Sequence, residues 1–365
     1  MAATPALIHV DSILTAVPER VAGAGRSLPI AVSGSPLAAD ELQRRFRAVL
    51  YYRGAGGERE AAARERAAWV KESLCAALVD HPEMAGRLRR RRGDDGSLWE
   101  VKLMDTGVRL VQASVEATMA AFLEATGEDR ERKEAALTLW TDVDLQEPDI
   151  CAPFFMQLTR FRDGGYAIGA SCSLLLADPL CLISFLKSWA RTHARLQAQS
   201  KLVANPVIQY TRYLQSPGPA KRLKSVPLDL GGAAAAAAKT VLFRAAADES
   251  DRLAVAAACI GKANEMLGAK APPRLTVIAR DGSGGVNVQT WTAENGQAPC
   301  HGDHALRAAH WQEAGLEELA LEGSKPVRVS YGVSPCADEG LAVVMQAGGP
   351  ELLISATVPI DLRAI

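Results

Sequence analysis

Phe154, Met156, Leu158 and Phe161 are apolar positions set around Gln157, Thr159 and Arg160, and a second apolar run begins at Tyr166 after Asp163, Gly164 and Gly165. This pattern predicts a β-hairpin with its turn at the glycine pair. From Cys181 the apolar residues Leu182, Phe185, Leu186, Trp189 and Leu196 recur at three- and four-residue steps, with Lys187, Arg191 and Arg195 between them. That is the stripe of an amphipathic helix. Asp178 and Pro179 therefore fall where a buried strand hands over to a helix, and the Asp178 carboxylate suits the exposed N–H groups there.

The same periodicities predict strands over 8–16 and 46–53, a long helix from about Glu58 to Val79, and strands near 86–91, 98–103 and 108–114, followed by a short helix. Between Ser216 and Lys239 the chain turns to Pro, Gly and Ala, as in SPGPAKRLKS and GGAAAAAA. A domain junction is expected there. The expected organisation is an N-terminal domain over 1–215, a connector over 216–239 and a C-terminal domain over 240–365. In the last part TVLFRA reads as a strand, Ser250–Leu267 as a helix opened by a serine cap, and LTVIAR as another strand. The fold class is α/β with mixed strands and few regular βαβ repeats.

Composition narrows the function. The 365 residues are 48% hydrophobic, enough for large cores, and 41 basic against 42 acidic residues give a formal net charge of −1. No nucleic-acid or membrane partner is expected from that balance. LRRRRG at 88–93, followed by Asp94 and Asp95, reads as a charged hairpin tip. Seven cysteines lack CxxC spacing and fall mostly in apolar elements, as reduced thiols do. Without a charged, apolar leader in MAATPALIHVDS and without an apolar run of membrane-spanning length, the expected compartment is the cytoplasm.

Two local features resemble other chemistries. DGSGG at Asp281–Gly285 looks like a phosphate cradle, but the alternating VNVQTW behind it makes it a hairpin turn between strands. CHGDHALRAAH gathers Cys300, His301, Asp303, His304 and His310, which reads as a polar loop and helix start. His304 and His310 are six apart and would not share a face as i, i+4 ligands do, so no metal is expected. No GxSxG occurs at a strand-to-helix turn, which argues against a serine hydrolase.

The hairpin segment resembles the plant BAHD acyltransferases. Their pattern is a strand ending in TRF, a glycine pair, a second strand carrying HxxxDG, and a helix with F and WA. Here Thr159–Phe161, Gly164, Gly165, Asp178, Phe185, Trp189 and Ala190 fit it. VDSILTAVPER, RRFRAVLYYR and DHPEMAGRLRR resemble the family's opening elements, so the likeness covers most of residues 8–200 and, more weakly, the rest. The resemblance implies a two-domain chloramphenicol-acetyltransferase-like fold with a channel between the domains. It implies transfer of an acyl group, other than aminoacyl, from acyl-CoA as cosubstrate to an alcohol or amine of a plant metabolite. No bound cofactor is implied, and a monomer is expected. The region of Ser283 and Gly284 would border the acyl-CoA channel.

The chain departs from the family at both signatures. Leu174 stands four residues before Asp178, where the family has its histidine, and Pro179 replaces the glycine. In the family the histidine is the general base and the aspartate is mainly structural. A leucine cannot take a proton, and loss of a positioned base costs about 10²- to 10⁴-fold in rate. Of the family's DFGWGKP, ALEGSKPVRVS keeps Lys325 and Pro326, with Ser324 for the last glycine. The second half is also shorter than the family's. Cys172 lies on the same strand face as Leu174 and is the nearest substitute for the base. Leu174 itself is expected to face the interdomain channel. Two readings follow: an acyltransferase with weak or lost activity, or a non-catalytic relative that binds a ligand or a partner enzyme, as wax-synthesis members of the family are thought to do.

Overall fold

The computed structural model describes residues 7–21, 25–54, 60–93, 96–104, 106–202, 224–227, 238–246, 251–292, 304–346 and 351–360. In chain order the first part contains β1 (Leu7–Ala16), β2 (Ser27–Ser33), β3 (Arg45–Tyr52), α1 (Glu60–Asp80), β4 (Arg87–Gly93), β5 (Gly96–Lys102) and β6 (Val108–Val115). Two short helices, α2 (Met119–Leu123) and α3 (Gly127–Ala136), precede the hairpin β7 (Phe154–Phe161) and β8 (Tyr166–Ser173), and α4 (Pro179–Leu202) follows it. Then come β9 (Lys224–Pro227), β10 (Ala238–Ala246), α5 (Arg252–Leu267), β11 (Arg274–Arg280), β12 (Val286–Thr292), β13 (Arg307–Ala309), β14 (Arg328–Ser334), β15 (Glu339–Gln346) and β16 (Glu351–Pro359).

These strands form two mixed sheets, one ordered β14-β3-β8-β7-β6-β1-β9 and the other β13-β10-β16-β15-β11-β12-β2-β5-β4. Most neighbours are antiparallel, while β6/β7, β11/β15 and β12/β2 run parallel. The α/β class with mixed sheets and flanking helices is as the sequence indicates. Each sheet draws strands from both parts of the chain: β2, β4 and β5 join the larger sheet, and β14 joins the smaller one. Of the expected 216–239 connector, only 224–227 and 238–239 lie within the described residues.

Strand alternation decides which side chains meet. On β3, Phe46, Ala48, Leu50 and Tyr52 enter the largest apolar cluster, while Val49 and Tyr51 enter a second one under α2 and α3. On β15, Leu341, Val343 and Met345 face that same largest cluster, and Ala342 and Val344 pack under α5. The largest cluster therefore joins one face of each sheet with α1 and α4. Trp189 on α4 donates from Nε1 to Ser73 Oγ on α1 at 2.9 Å, and the same oxygen lies 2.9 Å from His193 Nδ1, all buried. This polar tie satisfies groups that would otherwise be costly inside an apolar layer.

One expectation needs refinement, one needs correction and one strand was not expected. The arginines of 88–93 lie within β4, at the edge of the larger sheet, as one arm of the β4–β5 hairpin that pairs up to Gly93 and Gly96; residues 94 and 95 lie outside the described residues. The segment after Asp303 is an edge strand and not a helix start: β13 pairs Arg307–Ala309 with Leu242–Arg244, so backbone pairing overrides the helix propensity of ALRAA. Residues 300–303 lie outside the described residues, as does the Ser250 cap. Finally, β2 escapes the periodicity reading because Pro29 interrupts a serine-flanked run. The strand tolerates it where β2 pairs only with β5, before pairing with β12 starts at Ile30.

Candidate ligand cleft

A cleft of about 680 Å³ opens where the N-termini of α4 and α5 meet the β11–β12 turn and the C-terminal end of β15. That volume is in the range of small-molecule sites. Its apolar wall includes Leu28, Leu103, Leu180, Val344, Met345 and Leu352, and Arg26, Arg252 and Arg280 supply positive charge beside Glu83, Asp178 and Asp281.

Asp178 is the hinge of the site. One carboxylate oxygen accepts from the backbone N–H of Cys181 at 2.9 Å, which caps the first turn of α4. The other accepts from the Cys181 thiol at 3.1 Å and lies 3.4 Å from Arg280 Nε. Arg280 also donates to Gly284 O at 3.2 Å and to Leu176 O, so one guanidinium ties the β11–β12 turn to the segment before α4. The turn is built on Asp281, whose Oδ1 accepts from Ser283 N at 2.9 Å, Ser283 Oγ at 2.6 Å and Gly285 N at 2.8 Å. The hydrogen bond from Ser283, with those of the two backbone amides, holds the Asp281 carboxyl below its ordinary value. Gly284 takes φ +87°, a conformation that disfavours any other residue. Ser283 and Gly284 line the cleft.

Leu174 does not. It is 0% exposed and belongs to the apolar cluster between the sheets, which corrects the expectation that it faces an open channel. The whole turn Leu174–Ala177 is buried, and its four N–H groups are bonded within the protein. Leu174 N–H donates to Arg44 O at 3.1 Å, Leu175 N–H to Ser173 Oγ at 3.3 Å, and the N–H groups of Leu176 and Ala177 to Ser173 O at 3.0 Å each. Cys172 is also 0% exposed, and burial pushes its thiol far above the ordinary value, which disfavours the thiolate. Cys181 keeps an exposed surface at the cleft, yet desolvation of its sulfur and the adjacent Asp178 carboxylate push the thiol up to about 12.

Ser324, Lys325 and Pro326 are not at the cleft. Leu321 and Ser324 close a turn through paired backbone hydrogen bonds, with Glu322 at φ +52°, and Lys325 pairs with Glu318. Arg66 of α1 holds Glu322 with both Nε and Nη2, at 2.9–3.1 Å. This segment fastens the approach to β14 against α1.

The sequence reading missed a buried charge cluster. Arg44, just before β3, donates to Glu339 Oε1 at 2.8 Å, to Glu41 Oε1 at 2.7 Å and to Thr276 Oγ1 at 3.0 Å. Arg44, Glu41 and Glu339 are each at most 1% exposed. Burial opposes the charge of Glu339, but the Arg44 guanidinium and hydrogen bonds from Arg44, Cys336 N–H and Thr276 hold its carboxyl below the ordinary value. No group of three or more His, Cys, Asp and Glu able to hold a metal occurs among the described residues. No described helix is long and apolar enough to cross a membrane.

The site is thus an α/β ligand cleft with an apolar wall and a guanidinium-bearing rim. A family model described as the Transferase family matches residues 55–245, just over half of the chain, and the chain belongs to this family, that of the BAHD acyltransferases. Rosmarinate synthase of Plectranthus scutellarioides is 34% identical over 125 residues, which are 34% of this chain and 27% of that protein. Putrescine hydroxycinnamoyltransferase of Oryza sativa subsp. japonica is 31% identical over 137 residues, 38% of this chain and 28% of that protein. Protein ECERIFERUM 26-like of Arabidopsis thaliana is 32% identical over 127 residues, 34% of this chain and 28% of that protein. The match therefore spans less than a third of each relative's length. Among solved structures, vinorine synthase is similar over 98% of this chain and 95% of its own, with a TM-score of 0.48 and 16% identity. Nothing about activity follows from that likeness.

Proposed function

We propose that this chain binds an acyl-CoA thioester in the cleft and transfers its acyl group to an alcohol or amine weakly or not at all. The observation that carries this is the lack of a free base at the position of the family's histidine and at the groups beside it. Leu174 and Cys172 are sealed in the core, and Asp178 is engaged by the first turn of α4 and by Arg280. The Cys181 thiol is pushed up to about 12. The cleft still suits a long, partly apolar ligand carrying anionic groups, because apolar side chains and three arginines line it together. Membership of a family whose named relatives include hydroxycinnamoyltransferases supports the ligand class. The protein is read as a cytoplasmic monomer. The alternative, a relative that acts by binding a partner enzyme, draws on the same missing base.

Calorimetric titration with a panel of acyl-CoA thioesters and free coenzyme A tests the reading. Saturable binding that varies with the acyl chain supports it, and an acceptor screen then measures turnover. A folded sample that binds no thioester refutes it and turns attention to a protein partner.

A further inference from the structure

Two polar clusters mark opposite ends of the same strands. Thr276, near the start of β11, and Glu339, the first residue of β15, meet Arg44, whereas Arg280 and Met345, at the far ends of those strands, line the cleft. Since β11 and β15 are parallel, the span from Thr276 to Arg280 separates the two clusters by about 13 Å. The turn Leu174–Ala177 runs along this span. Its first residue is bonded to Arg44 O, its third gives its carbonyl to Arg280, and the next residue, Asp178, is already in the cleft. None of the four turn residues is more than 2% exposed.

We infer that, among the described residues, the cleft is closed at its inner end by the Leu174–Ala177 turn with the Arg44–Glu339 cluster behind it, so that a ligand enters and leaves by the open rim and no second reactant reaches it from the opposite side. This deepens the proposed thioester reading, on which it rests: a transfer needs two reactants at one carbonyl, and a cleft open only at its rim and filled by the donor leaves the acceptor no path among the described residues. The plug is made of ordinary core material. Three leucines and an alanine fill the space, and the bonded N–H groups of the turn reduce the usual penalty of burying a loop. The defect relative to an active transferase is then one of access as well as of a base.

Two measurements test this separately. The first needs no ligand. Methylmercury, a small thiol probe, is added to the folded protein, and the modified peptides are read by mass spectrometry. Cys181 at the cleft reacts within the native lifetime, and Cys172, fully buried two residues before the turn and packed in the same apolar cluster as Leu174, reacts only on unfolding. Leu174→Ala thins the plug and speeds modification of Cys172 at least tenfold, with a thermal melt confirming the fold. Modification of wild-type Cys172 as fast as Cys181 overturns the inference, whether or not the variant folds. The second measurement adds hydroxylamine, which converts a thioester to a hydroxamate and releases the thiol, to acyl-CoA with and without saturating protein. The inference expects the bound fraction to be protected. Binding with hydroxylamine cleavage at the free rate overturns it. Absence of thioester binding in the calorimetric titration instead refutes the proposed function, while protection of Cys172 is still scored on its own.

Discussion

Arg44 and Glu339 form a buried pair that joins the two sheets: Arg44 Nε donates to Glu339 Oε1 at 2.8 Å, and both side chains are 0% exposed. One residue leads into β3 of the smaller sheet and the other opens β15 of the larger, so the bond bridges elements almost 300 positions apart in sequence. Removing Glu339 leaves the buried Arg44 guanidinium with Glu41 and Thr276 as its remaining partners, one carboxylate short of the set that offsets its burial. Glu339→Ala is expected to lower stability by about 3–5 kcal/mol in denaturant titration. The double variant Arg44→Met with Glu339→Leu should lose less than Glu339→Ala alone. An equal or larger loss in the double variant would show that the pair's net worth, and not the orphaned charge, dominates.

The same pair predicts an acid limb. Glu339 is held below its ordinary value in the folded protein, so the unfolded chain binds its proton more readily. The stability it contributes is complete above the ordinary carboxylate range and is lost as pH falls through the folded value. Denaturation midpoints between pH 7 and pH 3.5 should fall for the wild type and fall less steeply for Glu339→Gln. Parallel curves would remove Glu339 from the account.

His193 makes a second pH-dependent contribution, nearer neutrality. Burial between α1 and α4 lowers its proton affinity, so the unfolded state takes up the proton first as pH falls below about 6.5. Stability should therefore decline on acidification from pH 7.5 to 5.5, before the carboxylates titrate. In His193→Gln that early decline should vanish, although the variant starts lower from the altered contact with Ser73. A wild-type melting temperature unchanged over this interval would contradict the buried neutral imidazole.

Much of the fold was legible because its signals are local. The alternation of β3, β7 and β8 and the stripe of α4 are properties of adjacent residues, and the D–G–S–G–G string encodes a turn whose Asp281 collects three donors. What could not be read is the partner of each charged residue. Arg44 lies in RRFR, which reads as the polar half of an alternating strand, and Glu339 reads as a solvated turn residue in ADEG; only the pairing of distant strands puts both in the core. Leu174 was found as a missing histidine, but its burial depends on the cluster that the two sheets build around it. Arg280, placed directly before the Asp281 turn, was the available hint to the site, since a basic residue at a strand end beside a tight turn often has a carboxylate to meet.

Restoring the family's histidine at this position is expected to fail. Leu174→His replaces a fully buried apolar side chain by an imidazole whose nitrogens find no assigned partner in the cluster. The loss should be about 2–4 kcal/mol from forfeited apolar burial and an unsatisfied polar group. Turnover with acyl-CoA and an alcohol or amine should stay at the wild-type level. A stable Leu174→His variant with a rise of 10²-fold or more would show that the position communicates with bound substrate after all.

Asp178 separates two roles that one carboxylate performs. Its Oδ1 caps α4 through Cys181 N–H, and its Oδ2 faces Arg280. Asp178→Asn keeps an acceptor for the cap but removes the charge, whereas Asp178→Ala removes both. If the cap dominates, Ala should cost about 1–2 kcal/mol and Asn only a few tenths. If the pairing with Arg280 dominates, both variants should lose similar stability. They should also weaken thioester binding together, because Arg280 would then hold the β11–β12 turn only through its bonds to Leu176 O and Gly284 O. Denaturant titration and calorimetry on the two variants decide between these outcomes. The cap is expected to carry the stability and the Arg280 contact the shape of the cleft, so Asp178→Asn should stay close to wild type in stability while binding the thioester more weakly.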